Sequence, residues 1–380
     1  MKVQLDAVET RVGTYQPALD GLRGICIAAV LLYHLDPGGW FQGGLLGVSV
    51  FFTLSGFLIT RNLVGELDRG DRVDVVRFWS RRVQRLAPAA LATLAAITIV
   101  TVISERGWAA AGLARNATAA VWGVANWNMI DVGRTNVLSG LGPVGPMWSL
   151  AVEEQFYFGI AILFVVLRGR NAIRNLTLVL SAICIASVVI ALMLGAYVPR
   201  REFGTDTRAG ELALGALLAI VASRHPELFT RRVPVQRAMG ASCLAMLGLL
   251  FVGIGYHPDR LARGWIIVVG LLSVGAIVGL LSGGPLTTLA AWRPLVALGR
   301  ISYALYLVHW PIILFTRDPL LGLTGTKSDV VRVVLCVLAA CVLHLVIEQP
   351  ARRKKIQPRR IMITWLAASV AVTVGAYALL

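Results

Sequence analysis

The sequence has few charged residues, and this scarcity excludes most soluble folds. Asp, Glu, Lys and Arg make up 15% of the 380 residues, whereas 57% are hydrophobic. A soluble chain of this length could not bury so much apolar surface in one core. The short alternating segments of outer-membrane barrels are also absent. The apolar residues instead form runs of about 17 to 25, the length of a helix that crosses the hydrocarbon of a bilayer.

Other absences narrow the class further. No two of the five cysteines have C-x-x-C spacing, and all five lie inside apolar runs, so we expect neither a disulfide scaffold nor a metal site. The first 20 residues are polar, which predicts no cleavable signal peptide. The net charge of +16 does not indicate nucleic acid, because Lys and Arg gather between apolar runs, where the positive-inside rule places them.

The apolar runs predict an all-α, polytopic transmembrane helical bundle in a bacterial plasma membrane. Arg115 and three asparagines interrupt the apolar stretch 113–130 and indicate an external loop, re-entrant or interfacial, rather than a span. With that loop, the basic cluster at 352–355 falls inside, as does the N-terminus. The bundle has a ten-helix core plus an eleventh C-terminal helix, with predicted spans at 22–37, 45–60, 86–104, 147–167, 175–197, 209–223, 236–256, 264–282, 295–316, 329–348 and 361–380.

The first predicted span carries two ionisable residues on one face. Arg23 begins it at the inner side, and His34 follows eleven residues later. This separation corresponds to ~16 Å along the helix axis and to about three turns. His34 is therefore expected in the outer third of the membrane, where ionisable residues usually have a function.

Two further spans bring polar groups to the same depth. Glu153, Glu154 and Tyr157 lie in WSLAVEEQFY, at the outer start of the fourth span. His309 lies in SYALYLVHWP, towards the outer end of the ninth. A histidine beside a carboxylate, such as His34 with Glu153, suits general-base activation of an alcohol.

The inner level is basic. Arg81, Arg82 and Arg85 precede Pro88 in RFWSRRVQRLAPA and are predicted to lie at the N-terminus of the third helix. Several guanidinium groups at a helix start form a good phosphate site. A phosphate site ~16 Å from the histidine level suits a long donor such as acetyl-CoA or another acyl-CoA.

Seven segments, in order, resemble the acyltransferase-3 family of bacterial membrane O-acyltransferases, which includes O-antigen and peptidoglycan O-acetylases. The likeness covers nearly the whole chain. Its segments are LDGLRGICIAAVLLYH (19–34), GVSVFFTLSGFLIT (47–60), RRVQRLAPA (81–89), WSLAVEEQFY (148–157), DTRAGELALGALLA (206–219), GRISYALYLVHWP (299–311) and IEQPARR (347–353).

The resemblance implies roles for individual residues. Arg23 and His34 match the essential pair of the family, with His34 as the catalytic base, and Glu153 matches the glutamate of its WSL-x-x-E motif. Arg208 matches a position typical of members that carry an extra helix and an external esterase-like domain. No nucleophile block of that domain follows the eleventh helix, which leaves two readings: a stand-alone transferase, or the membrane part of a longer protein.

We therefore expect an O-acyltransferase that moves an acyl group, such as acetyl, from cytoplasmic acyl-CoA to a hydroxyl of a cell-envelope glycan or glycolipid. Residues 1–349 form its transmembrane acyltransferase domain, and 350–380 form a basic cytoplasmic loop and the eleventh helix. A homo-oligomer is compatible with the sequence. The expected sites are catalytic His34, Glu153, Glu154 and His309, donor-binding Arg23, Arg81, Arg82 and Arg85, and substrate-binding Arg208, Tyr157 and Asp20.

Two alternatives stay open at this stage. The first is a transporter or flippase for a glycan or lipid-linked sugar, in which the buried His, Glu and Arg residues form a proton relay. The absence of inverted repeats argues against it. The second is acylation of a small cytoplasmic molecule, and the polar cluster predicted at the outer side argues mildly against that.

Overall fold

In a computed structural model the chain is all-α, with no β-strand among the residues that the structure describes. These are 15–36, 39–69, 73–104, 110, 112–133, 142–167, 169, 171–194, 198–253, 265–317, 325–354 and 356–379. The predicted fold class is confirmed. The polar N-terminal segment 1–14 and Lys355 lie outside the described residues, and so do the ends of five predicted spans, at 37, 195–197, 254–256, 264 and 380.

We number the described α-helices in chain order. A 3-10 turn, Gly44–Leu46, precedes α2, and a π-helical turn, Leu343–Glu348, joins α16 to α17. The helices are α1 Pro17–Leu35, α2 Gly47–Asp68, α3 Val75–Ile103, α4 Leu113–Val121, α5 Ala125–Gly133, α6 Met147–Val166, α7 Ala172–Met193, α8 Val198–Phe203, α9 Thr205–Arg224, α10 Leu228–Arg231, α11 Val233–Gly253, α12 Ile266–Leu281, α13 Pro285–Ala290, α14 Arg293–Arg300, α15 Ser302–Phe315, α16 Gly325–Val342, α17 Gln349–Arg353 and α18 Pro358–Leu379.

Eight described helices are long and apolar enough to cross a membrane, and nine if the bent pair α14 and α15 is one span. Each corresponds to a predicted span. The two remaining predicted spans are α9 and α12. Helix α9 carries Asp206, Arg208 and Glu211, which make it more polar, and α12 has only 16 residues, or about 24 Å of helix. A total of eleven spans and the N-terminal orientation stay predictions.

The loop predicted at 113–130 is wrong in its secondary structure, because most of it folds into α4 and α5. Gly123, with φ of 67°, makes the turn between the two helices. The Asn128 amide donates to the side-chain oxygen of Asn116 at 2.6 Å, so one helix satisfies the polar groups of the other. Each helix has nine residues, or about 14 Å, which is too short to cross a bilayer.

The predicted start of the third helix is also wrong. Helix α3 begins at Val75, and the Asp74 carboxylate caps it by accepting the Arg77 backbone N–H at 2.9 Å. Arg81, Arg82 and Arg85 consequently lie in the second and third turns, away from the free N–H groups of the helix start. Any phosphate bound there would be held by guanidinium groups alone.

The chain divides into two compact units that alternate along the sequence. The first contains residues 1–73 and 156–300, and the second contains 74–155 and 301–380. The three boundaries fall between α2 and α3, inside α6, and between α14 and α15. The domain boundary predicted after residue 349 stays a prediction.

Close helix contacts fix the first unit around α1 and α2. A side chain at Gly56 of α2 would overlap the Leu212 carbonyl of α9, and one at Gly215 of α9 would overlap the Thr53 carbonyl of α2. Gly299 of α14 meets the α1 backbone in the same way. Such approaches are typical of membrane helices, which associate through small residues.

In the second unit, α3 packs against α15, α17, α18 and the π-helical turn. Polar anchors join these elements near the start of α3. The Ser80 hydroxyl donates to the Pro358 carbonyl at 3.1 Å, and the Gln84 amide donates to the Ala351 carbonyl at 2.7 Å. The segment that carries Arg81, Arg82 and Arg85 is thereby fixed in place.

Candidate active site

The geometry of His34 fixes its tautomer. Its Nδ1 lies 2.8 Å from the Val30 carbonyl oxygen, one turn earlier in α1. A carbonyl oxygen can only accept, so Nδ1 carries the proton and donates it. In the neutral imidazole Nε2 then holds the lone pair, which makes it the nitrogen that can accept a proton from a substrate.

Polar groups of the first unit surround this end of α1. The Tyr33 ring lies edge-on to the His34 imidazole, with centroids 5.1 Å apart. The charge of Glu202 acts on the Tyr33 phenol, which brings the segment before α9 to the same end of the helix. Glu202 was not identified from the sequence, because its short element lies outside every predicted span.

Arg208 and Glu211 form a buried pair in α9. Arg208 is 4% exposed and Glu211 1% exposed, and Nε of the arginine donates to Oε2 of the glutamate at 2.8 Å. Arg208 also donates to the Ser49 hydroxyl at 3.1 Å and to the Glu202 carbonyl at 3.2 Å, and it stacks over Phe52. Nε, Nη1 and Nη2 of the guanidinium therefore each donate a hydrogen bond to an acceptor within the protein. They favour a structural role for Arg208, and its predicted role in substrate binding stays a prediction.

Tyr157, predicted to bind substrate, is 1% exposed. Its phenol is hydrogen-bonded to the Ser55 hydroxyl at 2.8 Å, which connects α6 to the LSGF segment of α2. The pair places two hydroxyl groups together in the interior of the first unit.

The N-terminal end of α1, predicted to lie at the inner side, holds a second polar group. The Arg23 guanidinium lies 3.7 Å from the Asp20 carboxylate, which also accepts from the Tyr15 phenol at 2.7 Å. Arg300 of α14 donates to the Tyr15 oxygen at 3.1 Å. Partial burial, and then the bond to Asp20, raises the pKa of Tyr15 above its ordinary value. Asp20, predicted to bind substrate, is thus held beside Arg23.

Arg61 is a further basic candidate that the positive-inside rule had seemed to explain fully. It extends from α2 and stacks over the Phe57 ring at 5.6 Å. Its Nη1 is buried and has no hydrogen-bond partner within the described residues. The sequence offers no means of separating it from the other basic residues of the same loop.

In the second unit, Arg81, Arg82 and Arg85 differ in environment. Arg81 is exposed, and Arg82 is half-buried with its guanidinium 5.7 Å from the Phe78 ring centre. Arg85 is also half-buried, and its Nε has no hydrogen-bond partner among the described residues. The cluster therefore combines an accessible cation with one that faces the interior.

Tyr303 connects residues that the sequence placed at different levels of the second unit. Its phenol donates to the Leu86 carbonyl at 2.8 Å. The charges of Glu154, Glu348 and Arg85 act on this phenol, and so does that of Glu153. Two predicted catalytic carboxylates and a predicted donor-binding arginine therefore lie around one buried tyrosine that had not been identified.

The carboxylates of α6 adjoin the turn between α4 and α5. The Gln155 amide donates to the Gly123 carbonyl at 2.7 Å and to the Asn126 side chain at 2.9 Å. A Cβ atom at Gly123 would lie 3.0 Å from Glu154 Oε2. The absence of a side chain at Gly123 therefore leaves room for the Glu154 carboxylate.

His309 is fully buried and has the same tautomer as His34. Its Nδ1 lies 2.7 Å from the Tyr306 carbonyl and 3.2 Å from the Leu305 carbonyl, so Nδ1 is the donor. The Tyr306 phenol is bonded in turn to the Ser149 hydroxyl at 2.7 Å. These bonds orient the imidazole, and its predicted role in catalysis stays a prediction.

A second histidine and carboxylate pair occupies the π-helical turn. The Arg353 guanidinium donates to the Gln349 oxygen at 3.2 Å, so the Gln349 amide nitrogen, 3.1 Å from His344 Nε2, is the donor of that contact. His344 Nδ1 then donates to Glu348 at 2.8 Å, and Arg352 approaches the same carboxylate at 3.4 Å. π-Helical turns are frequent at functional sites.

No group of three His, Cys, Asp or Glu side chains suited to a metal ion occurs among the described residues. Each unit instead contains a basic group at the predicted inner side and an oriented histidine at the predicted outer side. His34, Arg23, Asp20, Tyr157 and Arg208 belong to the first unit. The second contains the remaining predicted site residues, Arg81, Arg82, Arg85, Glu153, Glu154 and His309.

Comparison with known proteins matches the sequence of this chain to a family. The family model described as an acyltransferase domain matches residues 16–379. O-acetyltransferase OatA of Staphylococcus aureus (strain NCTC 8325 / PS 47) is 33% identical over 352 residues, which cover 90% of this chain and 58% of the relative. Peptidoglycan O-acetyltransferase OatA of Listeria monocytogenes serovar 1/2a is 32% identical over 360 residues, covering 89% and 56%.

The chain thus spans less than two thirds of the length of these relatives. No solved structure matches. The family match extends from the start of α1 to the end of α18, so it includes both units and every predicted site residue. The chain is a multi-pass bacterial membrane protein that belongs to the acyltransferase-3 family.

Proposed function

We propose that this chain is a membrane O-acetyltransferase that moves an acetyl group from a cytoplasmic acyl-CoA to a hydroxyl of an extracytoplasmic glycan of the peptidoglycan type. The observation that carries the proposal is the tautomer of His34. Its Nδ1 bond to Val30 makes Nε2 a base, on the same helix as Arg23. The relatives' names, O-acetyltransferase and peptidoglycan O-acetyltransferase, support the acyl group and the acceptor class.

The proposed chemistry follows from this base. His34 Nε2 takes the proton of the acceptor hydroxyl, and the oxygen attacks the thioester carbonyl carbon of the donor. The carbon–sulfur bond breaks and the coenzyme leaves as its thiolate, which takes up a proton. The Val30 carbonyl holds the imidazole through Nδ1 and stabilises the cation that forms. Direct transfer and transfer through an acyl-enzyme are both compatible with these steps.

Basic groups at the predicted inner side supply the means to hold the donor. Arg81, Arg82 and Arg85 in the second unit, and Arg23 in the first, are the candidate phosphate ligands. Guanidinium groups bind phosphate through paired, charge-assisted hydrogen bonds. The mixture of exposed Arg81 and inward-facing Arg85 suits a ligand that extends from the surface into the bundle.

The first test is acetyl transfer by the purified chain in proteoliposomes. We expect acetyl groups from labelled acetyl-CoA to appear as esters on peptidoglycan-type oligosaccharides, as measured by mass spectrometry. A folded chain that leaves both acetyl-CoA and the glycan unchanged would contradict the proposal. Movement of unmodified glycan across the membrane would instead support the transporter alternative.

The donor site has its own prediction. The double variant Arg81→Gln/Arg82→Gln should weaken acyl-CoA binding by about 10- to 100-fold, because each lost charged hydrogen bond contributes about 1.5–3 kcal/mol at most. Equilibrium binding of acetyl-CoA to the purified protein measures the loss. The control is Arg174→Gln, which removes an exposed charge at the start of α7. Equal weakening by the control would show a bulk charge effect and no specific site.

A further inference from the structure

Arg201 is a buried cation for which the described residues provide no side-chain hydrogen-bond acceptor. It lies in α8 and is 6% exposed. Its Nε is buried and has no hydrogen-bond partner, and within the described part of the chain its guanidinium joins no ion pair. An ionised group in such a position is strongly unfavourable unless a partner compensates it.

The neighbouring arginines show that the segment can satisfy such groups. Arg200 is partly exposed and pairs with Asp206 at 2.7 Å. Arg208 is as buried as Arg201, but it has Glu211, Ser49 and the Glu202 carbonyl as acceptors. Arg201 alone of these three arginines has no acceptor for its side chain.

The backbone at Arg201 is, by contrast, firmly fixed. The Thr207 hydroxyl lies 3.0 Å from the Arg201 carbonyl oxygen and 2.9 Å from the Gly204 carbonyl oxygen. These hydrogen bonds connect the start of α9 to the end of α8. The guanidinium is therefore held in its buried position by an ordered segment. Its orientation does not result from a bond made by the charged group itself.

The position of Arg201 relates it to the proposed base. The next residue, Glu202, acts electrostatically on Tyr33, whose ring contacts the His34 imidazole. The Glu202 carbonyl also accepts from Arg208. Arg201 is thus adjacent in sequence to a residue whose charge acts at the end of α1 that carries His34.

We propose that Arg201 binds an anionic group of the acceptor, a carboxylate or a phosphate, and thereby places a neighbouring hydroxyl at His34. This inference rests on the proposed function and adds a charge requirement to its substrate. The planar guanidinium can donate two parallel hydrogen bonds to either oxyanion. Acceptor binding would supply the partner that the buried cation lacks.

The test compares acceptors that differ only in charge. One arm uses an oligosaccharide with free carboxylates and the same oligosaccharide with those groups converted to amides, and a second uses a pyrophosphate-linked glycolipid. Arg201→Gln should raise KM by about 10- to 100-fold for the anionic acceptor, with KM for the amide unchanged. Loss confined to the glycolipid would assign the anion as phosphate. Arg201→Lys should recover part of the affinity.

The controls separate this inference from the proposed function and from misfolding. Arg200→Gln removes an adjacent, paired charge and should leave both KM values unchanged. Direct binding of the anionic oligosaccharide to the parent protein and to Arg201→Gln tests the site even if no acetyl transfer is observed. Acetyl-CoA binding should be equal in the two proteins.

Thermal unfolding distinguishes a binding role from a structural one. Removing an uncompensated buried charge should leave the melting temperature of Arg201→Gln unchanged or higher. A large decrease in melting temperature would overturn the inference. The inference would also be overturned if the parent and Arg201→Gln had equal KM values and equal affinities for both the anionic oligosaccharide and the pyrophosphate-linked glycolipid.

Discussion

Replacing His34 with alanine is expected to lower the rate of acetyl transfer by about two to four orders of magnitude, the usual contribution of a general base. Binding of acetyl-CoA should be unchanged, because the imidazole acts on the acceptor hydroxyl. Steady-state acetylation of the glycan and equilibrium binding of acetyl-CoA measure the two effects separately. The expected pattern is a decrease in kcat with the donor dissociation constant preserved.

The stability of His34→Ala should remain close to that of the parent. The Val30 carbonyl that receives the His34 Nδ1 bond also lies four residues earlier in α1, so it accepts the backbone N–H of residue 34 as well. Truncating the imidazole therefore leaves this carbonyl with a partner. A loss of activity accompanied by normal unfolding would assign the effect to chemistry.

A matched histidine serves as the control. His225 follows α9, is exposed, and contacts Glu227 at 3.2 Å. Its replacement by alanine should leave acetyl transfer unchanged.

If a base is needed, the parent rate should also decrease as acid protonates His34, and the residual rate of His34→Ala should lack that decrease. Full activity in His34→Ala would exclude the mechanism.

The fold could be predicted because the hydrocarbon thickness sets the length of each apolar run. Every predicted span has a helix at its position, including polar α9 and short α12. The errors occur where tertiary contacts decide the structure. The asparagines of 113–130 are typical of a loop in the sequence, but in the structure Asn116 and Asn128 are hydrogen-bonded to each other between two helices. Helix α3 begins well before its apolar run, because Asp74 caps it.

The site could be predicted only to the level of residue type and depth. The spacing of Arg23 and His34 on one helical face is a property of the sequence. The tautomer of His34 is not, because it depends on which acceptor Nδ1 meets. Glu348 lies four residues after His344, a spacing that the sequence displays, but the burial of this pair in a π-helical turn depends on packing against α3.

Three arginines of one segment show most clearly that the sequence does not reveal the environment of a side chain. In the sequence these residues, Arg200, Arg201 and Arg208, are of the same type and carry the same charge. The structure makes Arg200 a partly exposed ion pair, Arg208 a buried ion pair and Arg201 a buried cation for which the described residues provide no side-chain acceptor. Substitution of each arginine is therefore expected to have a different effect on stability and on acceptor binding.

Arg208→Met should destabilise the protein by about 3–5 kcal/mol, the effect of removing one member of a buried ion pair. The reason is Glu211, which is 1% exposed and would keep a carboxylate without its counter-charge. The double variant Arg208→Met/Glu211→Met should recover most of the loss, because neither charge then remains buried. Thermal unfolding of the four proteins in detergent gives the coupling between the two residues.

The same variants decide whether Arg208 also binds the acceptor. If its role is structural, the double variant should transfer acetyl groups with nearly the KM of the parent, because the fold is restored. If Arg208 contacts the acceptor, the double variant should be stable and still have a raised KM. Arg200→Met is the control, since its partly exposed pair with Asp206 should contribute only about 0–1 kcal/mol. A single variant as stable as the double would contradict the buried-pair argument.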